Sequence, residues 1–478
     1  MPTTTPAPDH RPQELAETTY DVIVIGAGST GENVADYAKR GGLTVLLVEA
    51  ELVGGECSYW ACMPSKALLR PVEVLSEARG VAGARQAVTG QLDIHAVFAR
   101  RDSFTSGWSD SGQVAWVERE GIALARGHAR LSGPRTVVVG EVTFTARRAV
   151  VICTGTSALV PPVAGLQEAR PWTAREATSA SAVPARLAVM GGGVVGVEMA
   201  TAWQALGSHV TLIERSDRVL VNNEPEAGRR ITAALRASGV DVRTQASVVK
   251  VARADTVTVT LDDGGVVEAD ELLVAVGRAP ATHDLGLETV GFEPGAWLTV
   301  DDTMLVQGSD WLYAAGDVNR RALLTHMGKY QARVAGTVIA ARASGQPVRG
   351  PWTVHAASAD ERCVPQVVFS DPPVASVGLT EAAARTAGLD VTTVSYEMAS
   401  TAGGSLFADD NPGWAQLVVA GERLVGATFL GPGVTEMVHA ATVAIVGEVP
   451  LQRLWHAVPS YPTMSEVWLR LLDRLPHG

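Results

Sequence analysis

Cys57 and Cys62 lie in the run Gly54-Gly55-Glu56-Cys57-Ser58-Tyr59-Trp60-Ala61-Cys62-Met63-Pro64-Ser65-Lys66, in a chain with only four cysteines. Two thiols this close can form and break a disulfide, and the pair follows directly on a glycine-rich fingerprint. The combination suggests a redox disulfide held against a bound cofactor. On an undistorted helix, residues five apart have Cα atoms roughly 8.5 Å apart, whereas a disulfide tolerates at most about 7 Å. The segment between the cysteines must therefore bend if the pair bonds, and Gly54, Gly55 and Pro64 make a bend feasible. The alternatives are a structural bridge or half of a zinc site. Zinc needs two further ligands, and no second cysteine pair or suitably spaced histidine pair is present, so no resident metal is expected.

The elements that would position the pair come next. Asp21–Ile25 is an apolar strand leading into Gly26-Ala27-Gly28-Ser29-Thr30-Gly31, a helical pattern follows, and a second strand ends in Glu49. The same unit recurs at Arg186–Met190, Gly191-Gly192-Gly193-Val194-Val195-Gly196 and Glu214, with each acid equally far from its first glycine. In such a unit Gly26, Gly28 and Gly31, or Gly191, Gly193 and Gly196, let the backbone approach a pyrophosphate. The helix N-terminus favours its charge, and Glu49 or Glu214 accepts ribose hydroxyls. One copy is weak evidence, because a ligand-free strand–helix turn looks alike. Two copies predict two dinucleotide sites and an α/β fold with two Rossmann-like domains.

Length and composition bound the rest. A chain of 478 residues holds several domains. Its formal net charge of −12 argues against nucleic acid and anionic membrane surfaces as partners. Residues 1–20 carry neither a basic start nor an apolar stretch, no membrane-spanning run follows, and few cysteines fit a reducing compartment; a cytoplasmic protein is expected. Cys153 reads as a buried small hydrophobe, and Cys363 receives no role. Beyond about residue 352, strand-like runs such as Gln366–Phe369 and Ala415–Val419 alternate with helical ones, predicting an α+β layer.

The two nucleotide units, the cysteine pair and Tyr313-Ala314-Ala315-Gly316-Asp317 together resemble the flavoprotein disulfide reductases, in the branches of dihydrolipoyl dehydrogenase and mercuric reductase. Cys153-Thr154-Gly155, Val276-Gly277-Arg278, Phe369–Gly378 and Pro462–Glu466 extend the resemblance over nearly the whole chain after residue 20. It implies FAD in the first unit, with Gly155 and Asp317 also on that cofactor, and NADH or NADPH in the second, with Gly277 and Arg278 among the cofactor-binding residues. It implies Cys62 as the flavin-facing thiolate, Cys57 as the outer thiol, and Lys66 and Glu198 beside the flavin, unless that pair is only an ion pair orienting two helices. It further implies a flexible tail at 1–19, an FAD domain at 20–160 and 281–350, an NAD(P) domain at 161–280 and a dimerisation domain at 351–478. The active site of the homodimer would then be shared, with Tyr461 and Glu466 reaching the partner's Cys57 side.

The chain departs from that pattern in four places. Tyr461 stands where disulfide-reducing members carry a histidine base, and a tyrosine is a poor base at neutral pH; His456 is a candidate substitute. Mercuric reductase resembles this chain in carrying tyrosine there, but its C-terminal cysteine pair has no counterpart in Leu472–Gly478. Glu56 replaces a small hydroxyl residue, and a carboxylate there raises the outer thiol's pKa unless another group compensates. Tyr59 and Trp60 add bulk between the cysteines, either packing into the core or narrowing a substrate channel. Glu214 favours NADH by repelling a 2′-phosphate, while Arg215 and Arg218 would attract one. The expected function is transfer of electrons from NAD(P)H through FAD and the dithiol to a small acceptor, a disulfide or a thiol-reactive metal ion. The competing readings are a cysteine-independent diaphorase, quinone reductase or transhydrogenase on the same scaffold, and a dinucleotide-binding protein with a vestigial redox site.

Overall fold

The computed structural model of the chain describes residues 10–475. They form two compact units. One takes the chain up to Pro64 with Asp102–Ala158 and Arg278–Asp360; the other takes Ser65–Arg101, Leu159–Gly277 and the chain from Glu361. Residues 1–9 of the expected N-terminal tail lie outside the described residues, as do the last three of the chain. From residue 10 onward the tail segment has defined contacts: the Arg126 N–H donates to the His10 carbonyl at 2.8 Å, and Pro12 is buried in a 3-10 turn.

The first unit is built on a seven-stranded sheet. Ala123–Arg126, Val45–Glu49, Thr19–Ile25 and Val142–Ile152 lie side by side, parallel, in that order. Their sequences are continuous apolar runs, as expected for strands covered on both faces, and Val22–Ile25 and Val45–Val48 are fully buried. Val142–Ile152 serves two partners along one edge: its first half pairs antiparallel with Thr136–Val139, and its last residues pair parallel with Leu312–Ala314. That second pairing brings Asp317, from far along the sequence, to the carboxyl ends of the strands that precede the first fingerprint and Gly155. Helices Ser29–Arg40 and Thr325–Ala343 pack closely, because a Cβ at Gly336 would fall 2.6 Å from that of Tyr37.

The second unit holds the other fingerprint in a parallel four-stranded sheet of Asp241–Thr244, His209–Glu214, Arg186–Met190 and Glu271–Val274. It also holds a three-stranded antiparallel sheet, Val248–Arg253, Val257–Leu261 and Val266–Ala269. The C-terminal part is a five-stranded antiparallel sheet with helix Val434–Val446 packed on it. Both strand-like runs anticipated beyond residue 352 are strands of this sheet, Pro365–Val368 and Trp414–Ala420. Among the described residues no helix is long and apolar enough to cross a membrane.

One side chain in the first unit couples the fold to pH. Glu32 sits in the first turn of Ser29–Arg40, where burial pushes its carboxyl up to about 7; attraction by Lys329 only partly offsets this, and the charge of Glu49 adds to it. The folded protein thus holds a proton that the unfolded chain releases near pH 4.5. Stability therefore falls as pH rises between those values, and the full cost is in place above pH 7. Glu32→Gln is expected to stabilise the protein by on the order of 2 kcal/mol above about pH 7.5 and to change nothing below about pH 4.5. Thermal unfolding across pH measures this, and a gain independent of pH would refute it.

Candidate active site

The redox loop is joined to the first fingerprint backbone to backbone. The Gly54 N–H donates to the Ala27 carbonyl at 2.8 Å, and Gly54 bridges Gly28. Gly54 and Gly55 have φ of 113° and 61°, and a Cβ on Gly55 would lie 2.7 Å from the Gly28 Cα. Only glycine meets both demands. Helix Gly55–Tyr59 carries Cys57 and stops at Trp60 (φ −136°, ψ 0°), and Cys62 opens the next helix, Cys62–Arg79. The segment is thus broken between the cysteines, as their spacing required. Both cysteines are partly buried thiols within hydrogen-bond reach of each other. The Cys57 thiol is raised far above the usual thiol range, first by its hydrogen bond to Cys62 and then by burial.

Tyr59 and Trp60 pack inward. They form a small core with Leu52 and Trp108, the Tyr59 hydroxyl donates to the Val53 carbonyl at 3.1 Å, and the Trp108 indole donates to the Tyr59 carbonyl at 3.1 Å. Of the two alternatives left open by sequence, the packing role is the one observed.

Glu56 is compensated. Its Oε2 accepts from Arg278 Nη2 at 2.5 Å; Arg278 also donates from Nε to the Thr156 hydroxyl at 2.5 Å and from Nη2 to the Thr156 carbonyl at 2.7 Å. The Thr156 hydroxyl in turn donates to Asp317 Oδ2 at 2.9 Å, and the Asp317 carboxyl is raised by burial against the pull of Thr156 and Arg278. Glu56, Arg278, Asp317 and, through the Ala281 N–H at 3.1 Å from its carbonyl, Gly155 therefore converge. Thr156 was not anticipated, although it adjoins the Cys153-Thr154-Gly155 match. A second unanticipated residue is Thr325, whose Oγ1 lies 3.2 Å from Cys62 Sγ. No local pattern marks it, because the two are 263 positions apart.

The two fingerprints have the same construction. Gly26 and Gly191 have φ of 95° and 107°; a Cβ on Gly31 or Gly196 would lie within 2 Å of the carbonyl oxygen of Gly26 or Gly191 respectively. Glu49 accepts the Ala27 and Glu51 N–H groups at 2.7 and 2.8 Å, and Glu214 accepts those of Gly192 and Ser216 at the same distances. Gly28 and Gly193 cap helices Ser29–Arg40 and Val194–Ala205 with no side-chain hydrogen bond. The first-turn N–H groups are thus offered to an anion, and neither capping glycine is crowded. This donor set fits a dinucleotide pyrophosphate in each copy. Of the nearby arginines, Arg218 pairs with Asp217 at 2.9 Å and Arg215 is exposed.

Lys66 Nζ lies 2.7 Å from Glu198 Oε2 and 4.9 Å from the centre of the Phe369 ring, and the other oxygen of the buried Glu198 accepts the Phe369 N–H at 3.0 Å. Gly277, with φ 147°, leads into Arg278. Tyr461 is 77% exposed in a turn, and His456 is exposed, its ring edge-on to that of Trp455. Glu466 is buried, its oxygens taken by the Gly403 N–H at 3.1 Å and Arg470 at 3.2 Å. Among the described residues, no group of three or more His, Cys, Asp or Glu side chains is placed to hold a metal ion.

Residues 20–345 match the pyridine nucleotide-disulphide oxidoreductase family, and residues 364–471 match its dimerisation domain. The chain belongs to that family. It is an enzyme, a flavoprotein oxidoreductase with a redox-active disulfide and a dimerisation domain, in a family that uses FAD and NAD(P)H. It is 33% identical to dihydrolipoyl dehydrogenase of Thermus scotoductus over 96% of this chain and 97% of that one. It is 31% identical to mercuric reductase of Staphylococcus aureus over 94% of this chain and 81% of that one. The fold is also that of the HOCl-induced flavoprotein disulfide reductase RclA from Escherichia coli in its Cu(II) complex, with a TM-score of 0.82 at 24% identity over 96% of this chain and all of that one.

The Glu56–Arg278 pair yields a test. Arg278→Met strips Glu56 of its counter-charge beside the outer thiol. In chemically reduced protein, alkylation of Cys57 at neutral pH is expected to slow roughly tenfold, the effect of about one unit in thiol pKa. The Glu56→Gln, Arg278→Met double variant is expected to recover most of that rate. Equal slowing in single and double variants would show that the carboxylate does not act on the thiol.

Proposed function

We propose that this enzyme moves electrons from a nicotinamide coenzyme, through FAD and the Cys57–Cys62 pair, to a small thiol-reactive acceptor, either a disulfide or a soft metal ion. The observation that carries this reading is the docking of the cysteine loop on the first fingerprint through Gly54 and Ala27, with the two thiols in mutual contact. FAD, held by Gly26, Gly28, Gly31, Glu49, Gly155 and Asp317 within 20–160 and 281–350, would supply two-electron transfer from nicotinamide to sulfur.

The chain's own residues do the rest. Cys62 is the inner thiol and Cys57 the outer one, which opens the acceptor; the high proton affinity of Cys57 supports Cys62 as the first to ionise. Lys66, oriented by the buried Glu198, supplies a fixed positive charge where electron density accumulates. Gly191, Gly193, Gly196 and Glu214, within 161–280, hold the coenzyme. NADH is favoured, because Glu214 faces its own turn while Arg218 is engaged with Asp217. Residues 351–478 dimerise, and the exposed Tyr461 reaches the partner's dithiol. Glu466 acts as a positioning residue for Gly403 and Arg470 rather than as the orienter of a base. With Tyr461 in place of a histidine base, oxidised lipoamide is a poor substrate. The low cysteine content supports a cytoplasmic setting, where a close cysteine pair is more often catalytic than structural.

Anaerobic reduction of the yellow protein by NADH is expected to give a long-wavelength thiolate–flavin charge-transfer band that Cys62→Ser abolishes. Turnover of the preferred acceptor, found by screening low-molecular-weight disulfides, Hg(II), Cu(II) and quinones, is expected to fall at least about 10³-fold in Cys57→Ser and in Cys62→Ser. Quinone reduction at full rate in both variants, with no charge-transfer band in the parent, would replace this reading by the cysteine-independent diaphorase.

A further inference from the structure

Thr325 has no assigned part in this chemistry, yet it touches both reacting sulfurs. Its Oγ1 is 3.2 Å from Cys62 Sγ, and it also hydrogen-bonds Cys57. It opens the 19-residue helix Thr325–Ala343, whose N-cap, Leu324, offers no side-chain hydrogen bond. The hydroxyl thus sits at the positive end of a long helix, half-buried and against the dithiol. A hydroxyl has one proton to give and two lone pairs to accept with. The Cys57 thiol gives its own proton to Cys62, so toward the sulfur that carries the charge the Thr325 hydroxyl acts as a donor.

The charged groups around the pair leave that task to it. Lys329, one turn along the same helix, attracts negative charge on Cys57, and its effect there is smaller than that of the Thr325 hydrogen bond. Glu56, which precedes Cys57, is neutralised by Arg278.

We infer that Thr325 is a catalytic residue that donates a hydrogen bond to the Cys62 thiolate, holding the reduced pair as a monoanion with its one remaining proton on Cys57. Ionisation then releases a single proton to solvent and leaves the other shared between the two sulfurs. This inference rests on the reading of Cys57 and Cys62 as the redox pair.

The test uses holoenzyme reduced with a water-soluble phosphine, which is then removed, so that it does not depend on nicotinamide. Iodoacetamide alkylation of Cys57 and Cys62 is followed against pH by peptide mapping in the parent, Thr325→Val, Thr325→Ala and Thr325→Ser. Val and Ala are expected to raise the apparent pKa of Cys62 by about one unit, slowing its alkylation at neutral pH roughly tenfold, and Ser is expected to restore it. Retained flavin absorbance shows that the variants are folded, and Ala serves where the branched Val does not fit. An unchanged Cys62 profile in flavin-replete Val or Ala, or failure of Ser to restore it, overturns the inference. A failure of the redox-pair reading shows itself separately, as absence of an NADH-induced charge-transfer band in the parent.

Discussion

The site depends on a contact of a few backbone atoms between Gly54-Gly55 and Ala27-Gly28. A hydrogen bond and a Cα–Cα approach with no room for a side chain fasten the cysteine loop to the turn that ends the first strand. Everything the cysteines can do follows from it. The loop enters its short helix at the angle the left-handed glycines impose, the helix stops at Trp60, and the second cysteine starts a new helix facing the first. The aromatic pair Tyr59 and Trp60, with Trp108, anchors the back of the loop by burial and two hydrogen bonds, so the reactive face is held on a rigid support.

Electrostatics around the dithiol is a matter of cancellation. A carboxylate beside a nucleophilic thiol is unfavourable in isolation, and Glu56 persists because Arg278 meets it in a bonded network that also ties down Thr156 and Asp317. The same logic governs Lys66 and Glu198: the buried carboxylate has both oxygens satisfied, by the ammonium and by the Phe369 amide, so its burial does not leave an orphaned charge. In both nucleotide turns the acid at the strand end is fastened by two backbone amides, which sets its direction before any ribose arrives.

Much of this was legible in the residues. Uninterrupted apolar runs announced strands buried on both faces, two glycine fingerprints with equally spaced acids announced two nucleotide units, and the cysteine spacing required a break that Trp60 provides. These signals are local: period, glycine placement and strand composition act within a few tens of residues, and both copies read alike.

The contacts that tune the site were not legible. Arg278 neutralises Glu56 from 222 positions away and Thr325 reaches Cys62 from 263, and neither partner carries a mark of its target. Nor did composition decide whether Tyr59 and Trp60 face the core or a channel, since an aromatic ring suits both. The amino-acid sequence by itself determined the strands, the phosphate-binding turns and the pair of sulfurs, because these follow from backbone freedom and short-range pattern. Only the tertiary structure decided which charges and hydroxyls surround those sulfurs, because strand Leu312–Ala314 and the segments around it return to the first sheet only when the whole unit closes.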